Sequence, residues 1–190
     1  TSVIFANRDI KTVKKIAKIV ETDYYHITTS NDVVGVEVCA AIKNIFSMVI
    51  GAAEGLCLSS NLKDISKKNF LNTAAALLQQ SIYEMIIFTE KMGGKKETVI
   101  GLAGIGDLYV SADGGRNSKM GEFLGQGMTF KKAKSEKMLN DTVEGADLIM
   151  EIGLKVKNDY NSHELPLMIS MINTILVEKK LIVEWKNFKS

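Results

Sequence analysis

Apolar residues run together as strand-like segments in only two short places near the start of the chain; beyond them they recur at three- and four-residue intervals. Val3 to Ala6 and Tyr24 to Thr29 are β-rich, and between them Asp9 is placed to cap a helix reaching about Thr22. Two strands and one helix cannot cover both faces of a sheet, so this unit is expected to belong to a larger sheet. Further chain is expected before Thr1, which opens almost directly into a strand.

From Asp32 onward the pattern is helical. Asp32 can cap a long apolar helix running to about Leu58, and Ser66 can cap a second in which Phe70, Ala74, Leu77, Ser81, Met85, Phe88 and Met92 share one face. Gly93-Gly94 stops that helix. Shorter helices are expected from Lys96 to Leu102, Arg116 to Leu124 and Phe130 to Lys137, and longer ones from Val143 to Lys157 and Pro166 to Glu178. The expected fold is mainly α, with a β-α-β unit over residues 1–30 and a helical domain over residues 31–190.

Composition narrows the function classes. A chain of 190 residues, 46% hydrophobic and 24% charged with one proline, suits a folded, helix-rich domain with a piece of another. The net charge of +2 leaves no basic block for a nucleic acid, and Lys67-Lys68, Lys95-Lys96 and Lys131-Lys132 read as solvated helix faces. Cys39 and Cys57 make no metal or disulfide pattern, His26 and His163 are isolated and read as structural, and no metal site is expected. The most apolar stretch, Ile45 to Ala53, is too short to cross a bilayer before Glu54 interrupts it, so neither a transmembrane segment nor a signal peptide is expected. The nine methionines fall mainly at apolar helix positions and read as core.

Four places depart from a plain helical core. Lys43 has Cys39, Ala40, Phe46 and Ser47 as helical neighbours and no acid among them. Either it snorkels from the helix edge, or its amine sits on an apolar surface where lost hydration suits a group that must give and take a proton. Gly101-Leu-Ala-Gly-Ile-Gly-Asp107 does not match a dinucleotide loop and reads as a tight helix-to-helix turn, with Asp107 either an N-cap or a residue approaching a ligand. Gly114-Gly115-Arg116-Asn117 opens a helix, where free N–H groups, a guanidinium and an amide can cradle a phosphate; alone, Arg116 reads more readily as a surface residue, and the glycines before it shift that balance. Glu144, in Thr142-Val-Glu-Gly, suits the positive end of a helix dipole.

Asp32-Val-Val-Gly-Val-Glu, Ala41-Ile-Lys-Asn44, Gly51-Ala-Ala-Glu-Gly-Leu, Gly101-Leu-Ala-Gly-Ile-Gly-Asp-Leu, Gly114-Gly-Arg-Asn with Gly121-Glu-Phe-Leu-Gly, and Val143-Glu-Gly with Leu165-Pro-Leu occur in one order across nearly the whole chain. In that order they resemble the C-terminal half of the NAD(P)-dependent glycerol-3-phosphate dehydrogenases. The resemblance implies an all-helical domain like the C-terminal domain of 6-phosphogluconate dehydrogenase, residues 1–30 being the end of a Rossmann-like nucleotide-binding domain whose remainder lies upstream. It makes Lys43 the catalytic proton donor and acceptor, with Asp107 beside it, and Asn44, Ser111, Gly115, Arg116 and Asn117 further substrate contacts. Arg116, Thr142 and Glu144 match positions near the NAD or NADP cofactor.

The implied reaction interconverts dihydroxyacetone phosphate and glycerol 3-phosphate, supplying glycerophospholipid synthesis in the cytoplasm, and the implied assembly is a homodimer. Gly115 stands where many bacterial members have serine, and the short spacing from Asp107 to Arg116 resembles the eukaryotic type. The competing readings are the helical half of a related hydroxyacid dehydrogenase and a helical dimerisation module without catalysis.

Overall fold

The computed structural model describes residues 1–59 and 70–189, so the expected cap at Ser66 and the Lys67-Lys68 pair lie outside the described residues. Strand β1 (Ser2–Ala6) pairs in parallel with β2 (His26–Ser30), Ser2 opposite His26 and Ala6 opposite Ser30. Helix α1 (Ile10–Val20) makes the crossover, and Asp9 caps it by accepting the Lys11 N–H at 3.0 Å and the Thr12 hydroxyl at 2.7 Å. This helix buries only Val13 and Ala17, while Ile16 and Ile19 stay exposed, as expected of a unit too small to cover its own apolar surface.

The centre of the molecule is α2 (Val33–Ser59). Helices α3 (Leu71–Lys91), α5 (Asp107–Ala112), α6 (Arg116–Gly125), α8 (Glu144–Asp159) and α9 (Pro166–Leu176) all pack against it. The sequence pattern located the apolar run at Ile45 to Ala53, but the helix as a whole is long and apolar enough by composition to cross a membrane. Its apolarity follows from its surroundings: Cys39, Ile42, Ile45, Phe46, Met48, Val49, Ala52 and Ala53 are all buried by neighbouring helices.

Asp32 starts α2 as expected and does more than cap it. One carboxylate oxygen accepts the Gly35 N–H at 2.9 Å, and the other accepts the Lys95 N–H at 2.9 Å and the Thr98 hydroxyl at 2.6 Å. The start of α2 is thereby tied to the turn after α3 and to α4 (Lys96–Val99). Along α2 the contact with α6 is made by main chain, because glycines face the crossing: a Cβ on Gly121 would lie 1.8 Å from the Met48 carbonyl oxygen, and one on Gly51 2.1 Å from that of Ser118.

Two expectations need correction. On α3, Leu77, Ser81, Met85 and Phe88 face inward, but Met92 is 54% exposed because the helix ends at Lys91 and the chain turns away through Gly93, whose φ of +91° favours glycine. The stretch from Gly101 is not a tight turn either. A π-helical segment, Leu102–Gly106, runs directly into α5. Its glycine Gly104 serves close packing rather than chain reversal, since a Cβ there would meet the Val99 carbonyl oxygen at 1.9 Å.

Helix α7 (Phe130–Lys137) falls where expected, and α9 ends two residues short of Glu178, which has a φ of +53°. The C-terminal tail returns to α3, where the Lys189 N–H donates to the Gln80 side-chain oxygen at 2.9 Å.

Candidate active site

Helix α2 presents Lys43 and Asn44 side by side, and each meets a different neighbouring helix. The Lys43 ammonium forms an ion pair with Asp107, the first residue of α5, and the two side chains are 20% and 38% exposed. The helical neighbours of Lys43 hold no acid, as the spacing indicated, but the amine is not left alone on an apolar surface: its counter-charge arrives from 64 residues along the chain. Asp107 points its carboxylate across to α2 instead of capping its own helix, whose preceding residue is Gly106. Behind the amine, Cys39 is fully buried, and burial pushes its thiol above the usual cysteine range.

Asn44 leads into a second group. Its side-chain oxygen accepts from the Asn117 amide at 3.2 Å, and the same amide donates to Glu144 at 3.1 Å. The Asn117 oxygen accepts the Gly145 N–H at 2.9 Å, so this buried amide fastens α2, α6 and the start of α8 together. Glu144 also pairs with the Arg116 guanidinium, and both of those side chains reach solvent, at 39% and 54% exposure. Arg116 is the first residue of α6; no side chain caps that helix start, and the turn before it passes through Gly114, whose φ of +78° suits glycine.

The structure therefore makes two bonded sets, Lys43 with Asp107, and Asn44, Asn117, Glu144 and Arg116, which meet where Lys43 and Asn44 adjoin on α2; Gly115 lies at the edge of the second set. Ser111 takes part through its carbonyl oxygen, in a separate contact that accepts the Ser47 hydroxyl at 2.6 Å. Thr142 is exposed and lies outside this chain of bonds among the described residues. Ser47 and the Gly145 N–H were not singled out in the sequence. The only sign of Ser47 was a hydroxyl one helical turn after Lys43 in an otherwise apolar stretch.

Chemically, the group offers an amine with an adjoining carboxylate, suited to proton transfer, and a guanidinium at an open helix start, suited to an anion. Arg116 and Glu144 are accessible enough to exchange their mutual contact for a ligand.

Comparisons with known proteins identify the family. A family model described as the C-terminus of NAD-dependent glycerol-3-phosphate dehydrogenase matches residues 32–185. The chain is 34% identical over 136 residues, 72% of its length and 39% of the relative's, to the NADP(+)-dependent glycerol-3-phosphate dehydrogenase of Archaeoglobus fulgidus. It is 31% identical over 183 residues, 95% of its length and 49% of the relative's, to the NAD(P)+ glycerol-3-phosphate dehydrogenase of Agathobacter rectalis. The chain thus spans half or less of the length of these curated relatives. Among solved structures, glycerol-3-phosphate dehydrogenase from Coxiella burnetii superposes with a TM-score of 0.76 at 26% identity, covering 95% of this chain and 51% of that one. The enzyme from Plasmodium falciparum, at 21% identity and a TM-score of 0.77, covers 100% of this chain and 51% of its own and shares the fold. With its helical architecture, the order of its motifs and a family match over most of its length, this chain belongs to the NAD-dependent glycerol-3-phosphate dehydrogenase C-terminal family.

Proposed function

We propose that this chain is the substrate-binding and catalytic half of an NAD(P)-dependent glycerol-3-phosphate dehydrogenase, reducing dihydroxyacetone phosphate to glycerol 3-phosphate and running the reverse reaction. Residues 1–30 belong in this reading to a Rossmann-like nucleotide-binding domain, and residues 31–190 form the helical substrate domain. The observation that carries it is the Lys43–Asp107 ion pair beside the Asn44–Asn117–Glu144–Arg116 group, an acid-base pair next to an anion cradle.

A nicotinamide cofactor, held in part by Arg116, Thr142 and Glu144, would supply the hydride that the carbonyl carbon accepts. As the carbon–oxygen π pair moves onto oxygen, negative charge builds there; the Lys43 ammonium stabilises it and then donates its proton. Asp107 holds the amine in place through its carboxylate. Arg116, at the uncapped start of α6, takes the substrate phosphate, with Gly115 and the first-turn N–H groups beside it. Asn117 spends its hydrogen bonds on Asn44, Glu144 and Gly145, so its part is to fix the cradle on α2 while Asn44 lines the pocket. Ser111 stands one turn from Asp107 on the same side of α5.

The exposed Arg116 and Glu144 fit a nucleotide as well as a phosphate, the guanidinium for its anionic part and the carboxylate for hydroxyl groups, and Thr142 lies two residues before Glu144. The reading extends to a cytoplasmic homodimer that supplies glycerophospholipid synthesis. Met150 and Leu154, exposed one turn apart on α8, support a further subunit contact.

The test is Lys43→Ala in the enzyme carrying its nucleotide-binding domain, with cofactor oxidation followed in the presence of dihydroxyacetone phosphate. Turnover is expected to fall at least about a hundredfold. Turnover near the wild-type value removes Lys43 from the mechanism and the reading with it.

A further inference from the structure

Resting on the function just proposed, we infer that Ser47 is a positioning residue: its hydroxyl fixes the register of α5 on α2 and so determines that Lys43 meets Asp107. Lys43 and Ser47 are four residues apart on α2, hence on one face; Asp107 and Ser111 are four apart on α5, also on one face. Lys43 reaches Asp107 and Ser47 reaches the Ser111 carbonyl, and both connections span 64 residues. They are two rungs of one ladder, one helical turn apart. A slide or rotation of α5 that broke the Ser47 rung would carry Asp107 with it.

Helix α5 needs such a fastening. Its six residues continue the five-residue π-helical segment before it, and the two together are still too short to be stable alone. Its final carbonyls lack intrahelical donors. Buried hydroxyls from two other helices meet two of them: Ser47 donates to Ser111 at 2.6 Å, and Ser118 of α6 donates to Ala112 at 2.8 Å. Ser118 is itself held where its backbone lies against Gly51 of α2, so both fastenings refer α5 to the same central helix.

The direction of the Ser47 bond sets it apart. A hydroxyl within a helix commonly returns to the carbonyl four residues back. Ser81 does this to Leu77 at 2.7 Å and Thr174 to Ser170 at 3.0 Å. Ser47, which is fully buried, bonds across to the neighbouring helix instead. Among the described residues its hydroxyl makes no hydrogen bond to the anion cradle, so its effect on the reaction passes through Asp107 and Lys43.

The experiment is a double-mutant cycle in the enzyme carrying its nucleotide-binding domain, comparing wild type, Ser47→Ala, Asp107→Asn and the double variant. Misplacing a reacting group by a fraction of an ångström to an ångström is costly, so Ser47→Ala is expected to lower kcat about tenfold or more while KM for dihydroxyacetone phosphate stays within about twofold. In the Asp107→Asn background, removing Ser47 is expected to change kcat by less than about twofold, because the residue it positions is already gone. A wild-type kcat in Ser47→Ala, a loss confined to KM, or the same tenfold loss in both backgrounds overturns the inference. If circular dichroism shows Ser47→Ala to be unfolded, the cycle is run with Ser47→Cys, which keeps the side-chain shape and weakens the donor. An unaffected Lys43→Ala removes the enzyme reading itself, whereas an inactive Lys43→Ala beside an unaffected Ser47 variant removes only the positioning role.

Discussion

Glu84 on α3 accepts the backbone N–H of Leu167 at 2.8 Å, closing the start of α9 from another helix. The same oxygen accepts from the Gln80 side-chain amide at 3.1 Å, and the second oxygen accepts the Met168 N–H at 2.8 Å. No residue of α9's own approach caps that end; Leu165 precedes Pro166 there. Glu84 is fully buried, and burial outweighs these hydrogen bonds, pushing its carboxyl from 4.5 up to about 7.

A pH dependence follows from Glu84. Its folded value lies above its unfolded one, so the folded state binds the proton more tightly between 4.5 and about 7. The resulting stability is fully present below 4.5 and is lost as pH rises through about 7, amounting to roughly 3 kcal/mol at most. Urea unfolding at pH 5 and pH 8 should show Glu84→Gln without this loss, its stability differing from wild type by less at one pH than at the other. Parallel behaviour of the two proteins across that range would count against it.

Asp32 has the opposite sign. Burial pushes its carboxyl up, but the hydrogen bonds from Thr98, Gly35 and Lys95 together with the Lys95 charge outweigh it, leaving it below the usual 3.8. Its contribution is therefore present above 3.8 and is lost as acid protonates it. Asp32→Ala removes three bonds to a buried charge, one of them the helix cap, and should cost about 2–4 kcal/mol at neutral pH in a urea titration. A change below about 0.5 kcal/mol, the range of ordinary surface substitutions, would show that the tie is not structural.

Gly121→Ala tests the main-chain crossing. Its new methyl would meet the Met48 carbonyl oxygen, which cannot rotate aside as a side chain can. Destabilisation of about 3 kcal/mol or more is expected, at or beyond the usual cost of overpacking, and should appear as a lower urea midpoint or as loss of soluble protein. Gly93→Ala, with open space around it, should show only the cost of its positive φ.

The phosphate role proposed for Arg116 can be tested apart from proton transfer. Arg116→Ala should raise KM for dihydroxyacetone phosphate about tenfold or more, the scale of one charge-assisted hydrogen bond, and Arg116→Lys should recover little because the two-pronged geometry is lost. Steady-state kinetics with a panel of phosphorylated and unphosphorylated substrates reads this directly. Equal use of an unphosphorylated hydroxyacid would favour the rival hydroxyacid dehydrogenase.

Local pattern was enough to find the strand–helix–strand start, the caps at Asp9 and Asp32, and the span of α7, because each depends on neighbours within one or two turns. Motif resemblance named Lys43, Asp107, Arg116, Asn117 and Glu144, and the fold pairs Lys43 with Asp107 and bonds Arg116 and Asn117 to Glu144. What escaped notice depends on partners far along the chain. Gly104 looks like a helix breaker until Val99 is seen lying against it, and Glu84 looks like an ordinary polar residue until α9 arrives. Ser47 gives no sign of which carbonyl it serves, and Asn117 none that its amide is already committed to three protein partners.

The 64-residue interval between Lys43 and Asp107 contains the whole of α3. A chain emerging from the ribosome therefore displays the amine long before it displays the carboxylate, and the two cannot combine until that loop has closed. Until then Lys43 is a lysine like any other. The proton transfer proposed for Lys43 would arise only with tertiary assembly, and the first local opening that lifts α5 away would abolish it while leaving most of the helical content in place.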